Sequence, residues 1–383
     1  MQGLMGAREW LALSLVPQLG AARIHRMHSL DLAWPDEWLA RLSSSQRSYL
    51  RYLLSHGEAN AEMALGLGWE DPALERYLLF PGHPCWPALL NEIDDPPPVL
   101  WATGNLDLLK RPALAVVGSR SASLAGLRRA LDFSATLAAA GICIVSGLAR
   151  GIDAAAHQGA LEANGYTIGV LGCGIDVVYP PRNRSLHERL TAPHGLRVTE
   201  FLPGTQARPA FFPRWNRIVT ALSRGVLVIE ASLRSGSLIS ARLALEQNRE
   251  VFALPGECDN PRAQGCLWLI QEGAHLVTTP QQIIEEPGLW KEPLEALECD
   301  APPHELPAIE GVPYGGKGDQ RLALLSAYLS DTPASLDTLA ATTALGPAEC
   351  QRMLLWLEVQ GKAAHSVGGW VRGRHGAGFI KES

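Results

Sequence analysis

The fold is decided by Leu114-Ala115-Val116-Val117-Gly118-Ser119-Arg120-Ser121, the helix-length stretch Leu124 to Ala140, and then Ile142-Cys143-Ile144-Val145-Ser146-Gly147-Leu148-Ala149-Arg150-Gly151-Ile152-Asp153. Two short, wholly apolar, β-branched runs each end in glycine and small polar residues, and an amphipathic segment separates them. A strand that is apolar on both faces must be covered on both faces, which is the condition of a parallel sheet built from βαβ units. Outward from this pair the same rhythm continues through Thr167 to Leu171, Leu196 to Thr199, Val226 to Ile229, Glu250 to Leu254 and His275 to Val277, with a further helical stretch at Ala154 to Asn164. The expected fold class is therefore α/β, an extended Rossmann-like parallel sheet domain over residues 81–284.

On either side the pattern changes. Residues 1–80 alternate apolar helical stretches (Trp10 to Val16, Trp38 to Leu42, Tyr49 to Leu54) with short breaks and no β-branched run, so a small helical domain of the SAM or helix-hairpin-helix kind is expected. Its segment Val16-Pro17-Gln18-Leu19-Gly20-Ala21-Ala22-Arg23-Ile24 reads as a turn connecting two helices, with a turn that presents backbone N–H groups to phosphate as the alternative. Residues 285–318 carry Glu285, Glu286, Glu292, Glu295, Glu298, Asp300 and Glu305 among six prolines, an acidic Pro-rich linker. Residues 319–375 read as three helices and a hairpin around Gly368-Gly369, a winged-helix-like module. Its third helix, Pro347 to Gln360, sets Arg352 against Glu349 and Glu358, a poor balance for neutralising a duplex, which favours protein contact or regulation.

Charge localises the function. The 383 residues have a formal net charge of −6, yet between Arg111 and Glu250 there are 16 Arg, no Lys and nine acids, so that window is +7 and the rest of the chain −13. An acidic total does not exclude an anion-binding middle. No signal-peptide pattern opens the chain and no run approaches a membrane span, so the expectation is a cytoplasmic protein with no membrane partner. The seven cysteines form no C-x-x-C pair, and no His, Cys and carboxylate spacing suggests a metal or a cofactor. The stretch Gly311 to Gly318 fits G-x-x-x-x-G-K but ends in Gly, offers no hydroxyl for magnesium and follows no strand, so it reads as a decoy.

In an open parallel sheet, ligands bind beyond the carboxyl ends of the strands. The segments that follow the strands hold Gly118-Ser119-Arg120, Ser146 to Asp153, Gly172 to Arg184, Glu200 to Gly204 with Phe211 to Arg217, Glu230 to Ser237, and Pro255-Gly256. Glycine lets backbone N–H groups approach an anion, and Arg forks onto phosphate oxygens. Several such loops on one edge describe an extended polyanion site. No nucleophile or metal accompanies them, and Asp153 with His157 reads as capping plus a buried hydrogen bond.

In order and spacing these motifs, together with Gly174-Ile175-Asp176, Tyr179-Pro180 and Arg234-Ser235-Gly236-Ser237-Leu238, resemble the DNA-processing protein A family (DprA, also called Smf), over about residues 80–280. The resemblance implies a single-stranded-DNA-binding protein, usually a homodimer, that loads the RecA recombinase in natural transformation and has no established catalytic activity. The residues it implies for single-stranded DNA are Gly118, Ser119, Arg120, Gly147, Arg182, Asn183, Arg184, Asn216, Arg217, Ser235 and Gly236, with Arg120 and Arg184 holding phosphates. Two departures stand out: Trp215, where many members have Arg, trades a cation for a stacking face, and Leu267 replaces a frequent Asn or His. The alternative reading on the same fold is a nucleotide or phosphoribosyl hydrolase using Glu200 or Glu230. A third is a duplex-binding regulator acting through the C-terminal module.

Overall fold

The computed structural model describes residues 5–290 apart from 192, 209 and 210, and in the C-terminal part residues 325, 329, 334–343, 346, 350–351, 353–354, 357, 363–366 and 369–372. Two compact units are present, Met1–His304 and Glu305–Ser383.

The first unit is built on a nine-stranded sheet of order β1-β2-β6-β5-β4-β3-β7-β8-β9. Its strands are β1 (Arg76–Leu79), β2 (Leu100–Gly104), β3 (Ala113–Val117), β4 (Cys143–Ser146), β5 (Thr167–Val170), β6 (Gly195–Thr199), β7 (Gly225–Val228), β8 (Glu250–Ala253) and β9 (His275–Leu276). From β6 across to β9 every pairing is parallel. The expected runs thus become strands, and the continuous hydrophobicity of the central ones is explained by burial on both faces: all five residues of β3 are buried, whereas β9 at the edge is exposed.

Alternation along β3 splits two core layers. Ala113, Ala115 and Val117 face one layer with Ile218, Val219, Ala241, Ala244, Cys266 and Leu269. These come from α9 (Phe212–Ala221), α10 (Ser237–Glu246) and α11 (Gln264–Gln271). Leu114 and Val116 face the other with Ala130, Phe133, Leu137, Ile152, Ala156 and Ala160. Those belong to α6 (Leu124–Ala139) and α7 (Ile152–Glu162). Each fully buried Leu, Ile, Val or Phe contributes roughly 1.5–3 kcal/mol against exposure. The segment from Glu285 to Trp290, expected as the start of the linker, still packs here through Leu289 and Trp290. The remaining linker and the Gly311 to Gly318 decoy lie outside the described residues.

Two strands were not visible in the sequence. β1 and β2 extend the sheet beyond β6 and run antiparallel, β2 against β6 and β1 against β2. They also carry the packing surface for the N-terminal helices α1 (Ala7–Leu15), α2 (Ala21–His28), α3 (Asp36–Ala40), α4 (Ser44–His56) and α5 (Ala61–Leu67). Trp10, Leu13, Ile24, Trp38, Leu50 and Met63 share one core with Leu78, Val99 and Trp101 of the strand region, and Trp101 Nε1 donates to the Gly66 carbonyl at 3.1 Å. The boundary expected near residue 80 therefore falls inside one packed unit. Between α1 and α2 the turn Val16 to Gly20 buries Val16 and Leu19 in that core, as a helix connection does.

In the second unit a helix (Leu336–Thr343) and the antiparallel hairpin Ala363–Ser366 with Gly369–Arg372 pack through Leu339, Ala340, Ala363 and Trp370. Cys350, Met353, Leu354 and Leu357 supply a buried stripe with helical spacing. Arg352, Glu349 and Glu358 lie outside the described residues.

Candidate nucleic-acid interface

The chain runs β3, β4, β5, β6 toward one edge and then returns to lay β7, β8 and β9 on the other side of β3. The order reverses between β3 and β7, so the loops after these two strands diverge and leave a crevice beyond their carboxyl ends. A cleft of about 420 Å³ occupies that place, lined by Gly118, Ser119 and Arg120 after β3, Ser235 and Gly236 after β7, and Asn216 from α9. Six of the residues expected for DNA thus meet at one point.

Local bonds hold the loops after β3 and β7. Ser119 N donates to the Glu230 carbonyl at 2.8 Å, and Ile152 N donates to the Ser119 carbonyl at 3.2 Å, so the loop after β3 is stitched to both neighbouring loops. Ser235 Oγ lies 2.6 Å from Ser237 Oγ and accepts from Ser237 N, which fixes the start of α10. The Asn216 amide, half-buried in the cleft wall, has no protein hydrogen-bond partner among the described residues. Gly151 sits at φ +79°, where a Cβ would overlap the Ser119 carbonyl oxygen, so only glycine lets the loops after β3 and β4 touch.

A second, smaller hollow of about 50 Å³ adjoins the first and shares Arg120, Ala149 and Trp215 with it, adding Gly147, Tyr179 and Pro180. Directly after Pro180 the chain forms the single turn Pro181–Asn183 and then α8 (Arg184–Arg189). Arg182 and Arg184 are exposed here and form no ion pair among the described residues. Asn183 has a different task from its neighbours. Its Nδ2 donates to the carbonyls of Leu148 at 2.9 Å and Ala149 at 3.1 Å, and Leu148, a fully buried leucine, holds φ +53°. A β4–α7 loop in a costly backbone region persists where neighbours over-determine it, and Asn183 is one of those neighbours.

Arg217 departs from expectation. It is 5% exposed and forks onto Glu200 (Nη1 to Oε1 3.0 Å, Nη2 to Oε2 2.8 Å), while its Nε reaches Asp95 Oδ2 at 2.9 Å. It is a buried structural cation with its donors consumed, and it does not line the cleft. Consecutive helical residues point about 100° apart, which is why Asn216 reaches the cleft and Arg217 the interior. Trp215 borders the cleft but is 5% exposed and packs on Gly172, where a Cβ would overlap the ring, so most of its face is covered. Leu267 sits half-buried on α11 and Pro255-Gly256 follows β8; neither lines the cleft.

Ser232 and Ser237, quoted in the sequence segments but not among the expected DNA contacts, line the cleft, as does Ser240, which sequence reasoning passed over. Their signal was a run of serines through the loop and first turn of α10, small enough to admit a backbone.

Asp153 also lines the cleft but is not paired with His157. Its Oδ2 accepts from Gly147 N at 3.2 Å, whereas His157 is fully buried with Nδ1 2.6 Å from Thr167 Oγ1. Burial, only partly offset by hydrogen bonds from the Ala149 and Gly147 backbones and by nearby Arg120, pushes the Asp153 carboxyl up to about 6. Burial holds His157 down at about 3 and His187 at about 4, so both stay neutral from pH 5 to 8. The folded state then holds a proton on Asp153 that the unfolded chain releases, so this group makes stability fall as pH rises from about 4 to about 6. A phosphate nearby favours the same protonated form. Anion affinity in the cleft is therefore expected to increase as pH drops from 7 through 6, and Asp153→Asn to flatten that increase. Binding titrations at several pH values check this, and an unaltered profile in the variant would refute it.

Both carboxylates that a hydrolase would need are committed elsewhere. Glu200, with its side chain 3% exposed, holds Arg217 and Arg214. Glu230 accepts from the Ser123 N–H and hydroxyl ahead of α6. Among the described residues no group of three or more His, Cys, Asp or Glu is placed to hold a metal ion.

Comparison with known proteins agrees with this geometry. Residues 77–288 match the family described as DNA recombination-mediator protein A, and residues 312–369 the DprA winged helix domain. The chain is 37% identical to Protein Smf of Synechocystis sp. over 389 residues, covering 94% of this chain and 96% of that protein. The crystal structure of DNA processing protein A from Streptococcus pneumoniae superposes with a TM-score of 0.64 at 34% identity, over 74% of this chain and 99% of that one. That of DNA processing protein A from Helicobacter pylori, described for its single-stranded DNA binding mode, gives 0.50 at 29% identity, over 56% and 96%. On the match across the sheet domain and on near-complete coverage by a relative, the chain belongs to the DNA recombination-mediator protein A family.

Proposed function

We propose that the protein binds single-stranded DNA without regard to sequence, protects incoming strands and loads the RecA recombinase onto them in natural transformation. The observation that carries the reading is the convergence of Gly118 to Arg120, Asn216 and Ser235-Gly236 on one cleft at the sheet reversal, with exposed Arg182 and Arg184 beyond the adjoining hollow. One phosphate needs fewer cations than this; a strand that threads past several loops uses all of them. The single-stranded DNA binding of the Helicobacter pylori relative supports the same ligand. The structural duties of Glu200 and Glu230 take away the two carboxylates named for a nucleotide hydrolase, which supports a non-enzymatic role.

The protein works in the cytoplasm as a homodimer. Among the described residues no helix is long and apolar enough to cross a membrane. Support for the dimer comes from a groove of about 700 Å³ beside β9, where Leu233, Ile239, Leu245 and Trp268 are exposed together. Monomeric surfaces seldom leave such residues contiguous.

Mobility shifts with single- and double-stranded oligonucleotides of equal length, over a salt series, test the function. Preference for the single strand is expected, with log K falling by about 0.7 per phosphate neutralised for each decade of salt. Equal affinity for duplex, or release of free base from nucleoside monophosphates, would overturn it.

A further inference from the structure

Arg120 stands where three hollows meet, and the reading above uses two of them. The third is a groove of about 560 Å³ between the N-terminal halves of α6 and α7. Arg120 and Ser121 open it, Arg150 forms its shared wall with the small hollow, and Arg128 of α6 and Gln158 of α7 stand further out. Its floor includes Leu127 and Leu131, and among the described residues no Asp or Glu lines it. Arg128 and Arg150 are exposed and form no ion pair among the described residues. Asp153, in the first turn of α7, lines the cleft and not this groove, and the other acids of the two helices lie one turn further on. Asp132 follows Arg128, and Glu162 follows Gln158 and accepts from its Nε2 at 2.6 Å. The cations that line the groove therefore cluster toward Arg120, and Asp132 and Glu162 stand further along the two helices.

We infer that the groove between α6 and α7 is a second lane for the same single strand, whose sugar–phosphate backbone leaves the cleft at Arg120 and runs over Arg150 and Arg128. The inference rests on the single-stranded-DNA reading and extends its footprint. A flexible polyanion follows the contour of positive potential, and aliphatic surface beneath it accepts sugars and base faces. Arg150 belongs to both the small hollow and the groove, so Arg128 is the residue that isolates the lane.

The test compares full-length protein with Arg128→Glu and Arg128→Gln on oligo-dT of about 6 and about 20 nucleotides, lengths bracketing common site sizes. With the long oligonucleotide, Arg128→Glu is expected to weaken binding at least about fivefold and lower the salt slope by about 0.7, while the short one stays within about twofold. Arg128→Gln should show the same length dependence at smaller size, with unchanged thermal unfolding in both variants. Equal effects at both lengths, or none at either, would overturn the lane and leave single-stranded-DNA binding standing. Wild-type protein that binds neither length would overturn the functional reading itself, and the lane with it.

Discussion

Replacing Arg120 with Ala is expected to weaken single-stranded-DNA binding by roughly ten- to a hundredfold, the loss of about 1.5–3 kcal/mol that attends a charge-assisted contact. Among the described residues no other arginine lines both the cleft at the sheet reversal and the two hollows that lead away from it. Wherever the strand goes next, it passes this guanidinium. Arg120→Lys should keep most of the salt dependence, because the charge remains. It should lose part of the affinity, because an ammonium cannot fork onto two phosphate oxygens. Arg120 is exposed at the end of its loop, so the unfolding midpoint should stay close to wild type. Equilibrium titrations over a salt series read both quantities. Unchanged affinity and slope in Arg120→Ala would remove the cleft from the binding path.

Arg217→Ala should act in the opposite way, on stability before binding. The substitution strands Glu200 at 3% side-chain exposure with Arg214 as its remaining cation, and it also removes the partner of Asp95. Breaking a buried ion pair from one side costs about 3–5 kcal/mol, because the other charge stays desolvated. A large drop in the urea midpoint is expected. Below that midpoint DNA affinity should remain near wild type, since the guanidinium faces the interior. Pairing Arg217→Met with Glu200→Leu removes both charges and should recover part of the loss. A variant that binds DNA poorly while melting normally would return Arg217 to the interface.

These two arginines mark the limit of what the sequence discloses. Both lie in Gly- and Arg-rich segments that follow strands, and both stand beside small polar residues. What separates them is a pair of carboxylates, Glu200 17 positions and Asp95 122 positions away, that the fold brings to one of them. Asn183 hid its role in the same manner, since the carbonyls it holds belong to residues 34 and 35 positions earlier. The parallel strands were legible because burial on both faces forces an unbroken apolar run. β1 and β2 were not, because Arg76-Tyr77-Leu78-Leu79 and Leu100-Trp101-Ala102-Thr103-Gly104 lack a β-branched run and sit among turns and prolines. Trp215 was misjudged on chemistry alone. An aromatic ring in a DNA-facing segment reads as a platform until Gly172 is seen beneath it.

The core that joins the N-terminal helices to β1 and β2 also includes Leu148, Leu171 and Cys173, which lie in the loops after β4 and β5 behind the cleft. Trp10, Trp38 and Trp101 are fully buried in that same core, with the Trp10 and Trp38 rings edge-to-face at 6.2 Å. The protein thus carries its own optical gauge. Because these indoles share a core with the loops behind the cleft, loosening of those loops is expected to shift their emission, on top of the signal from Trp215 in the cleft wall.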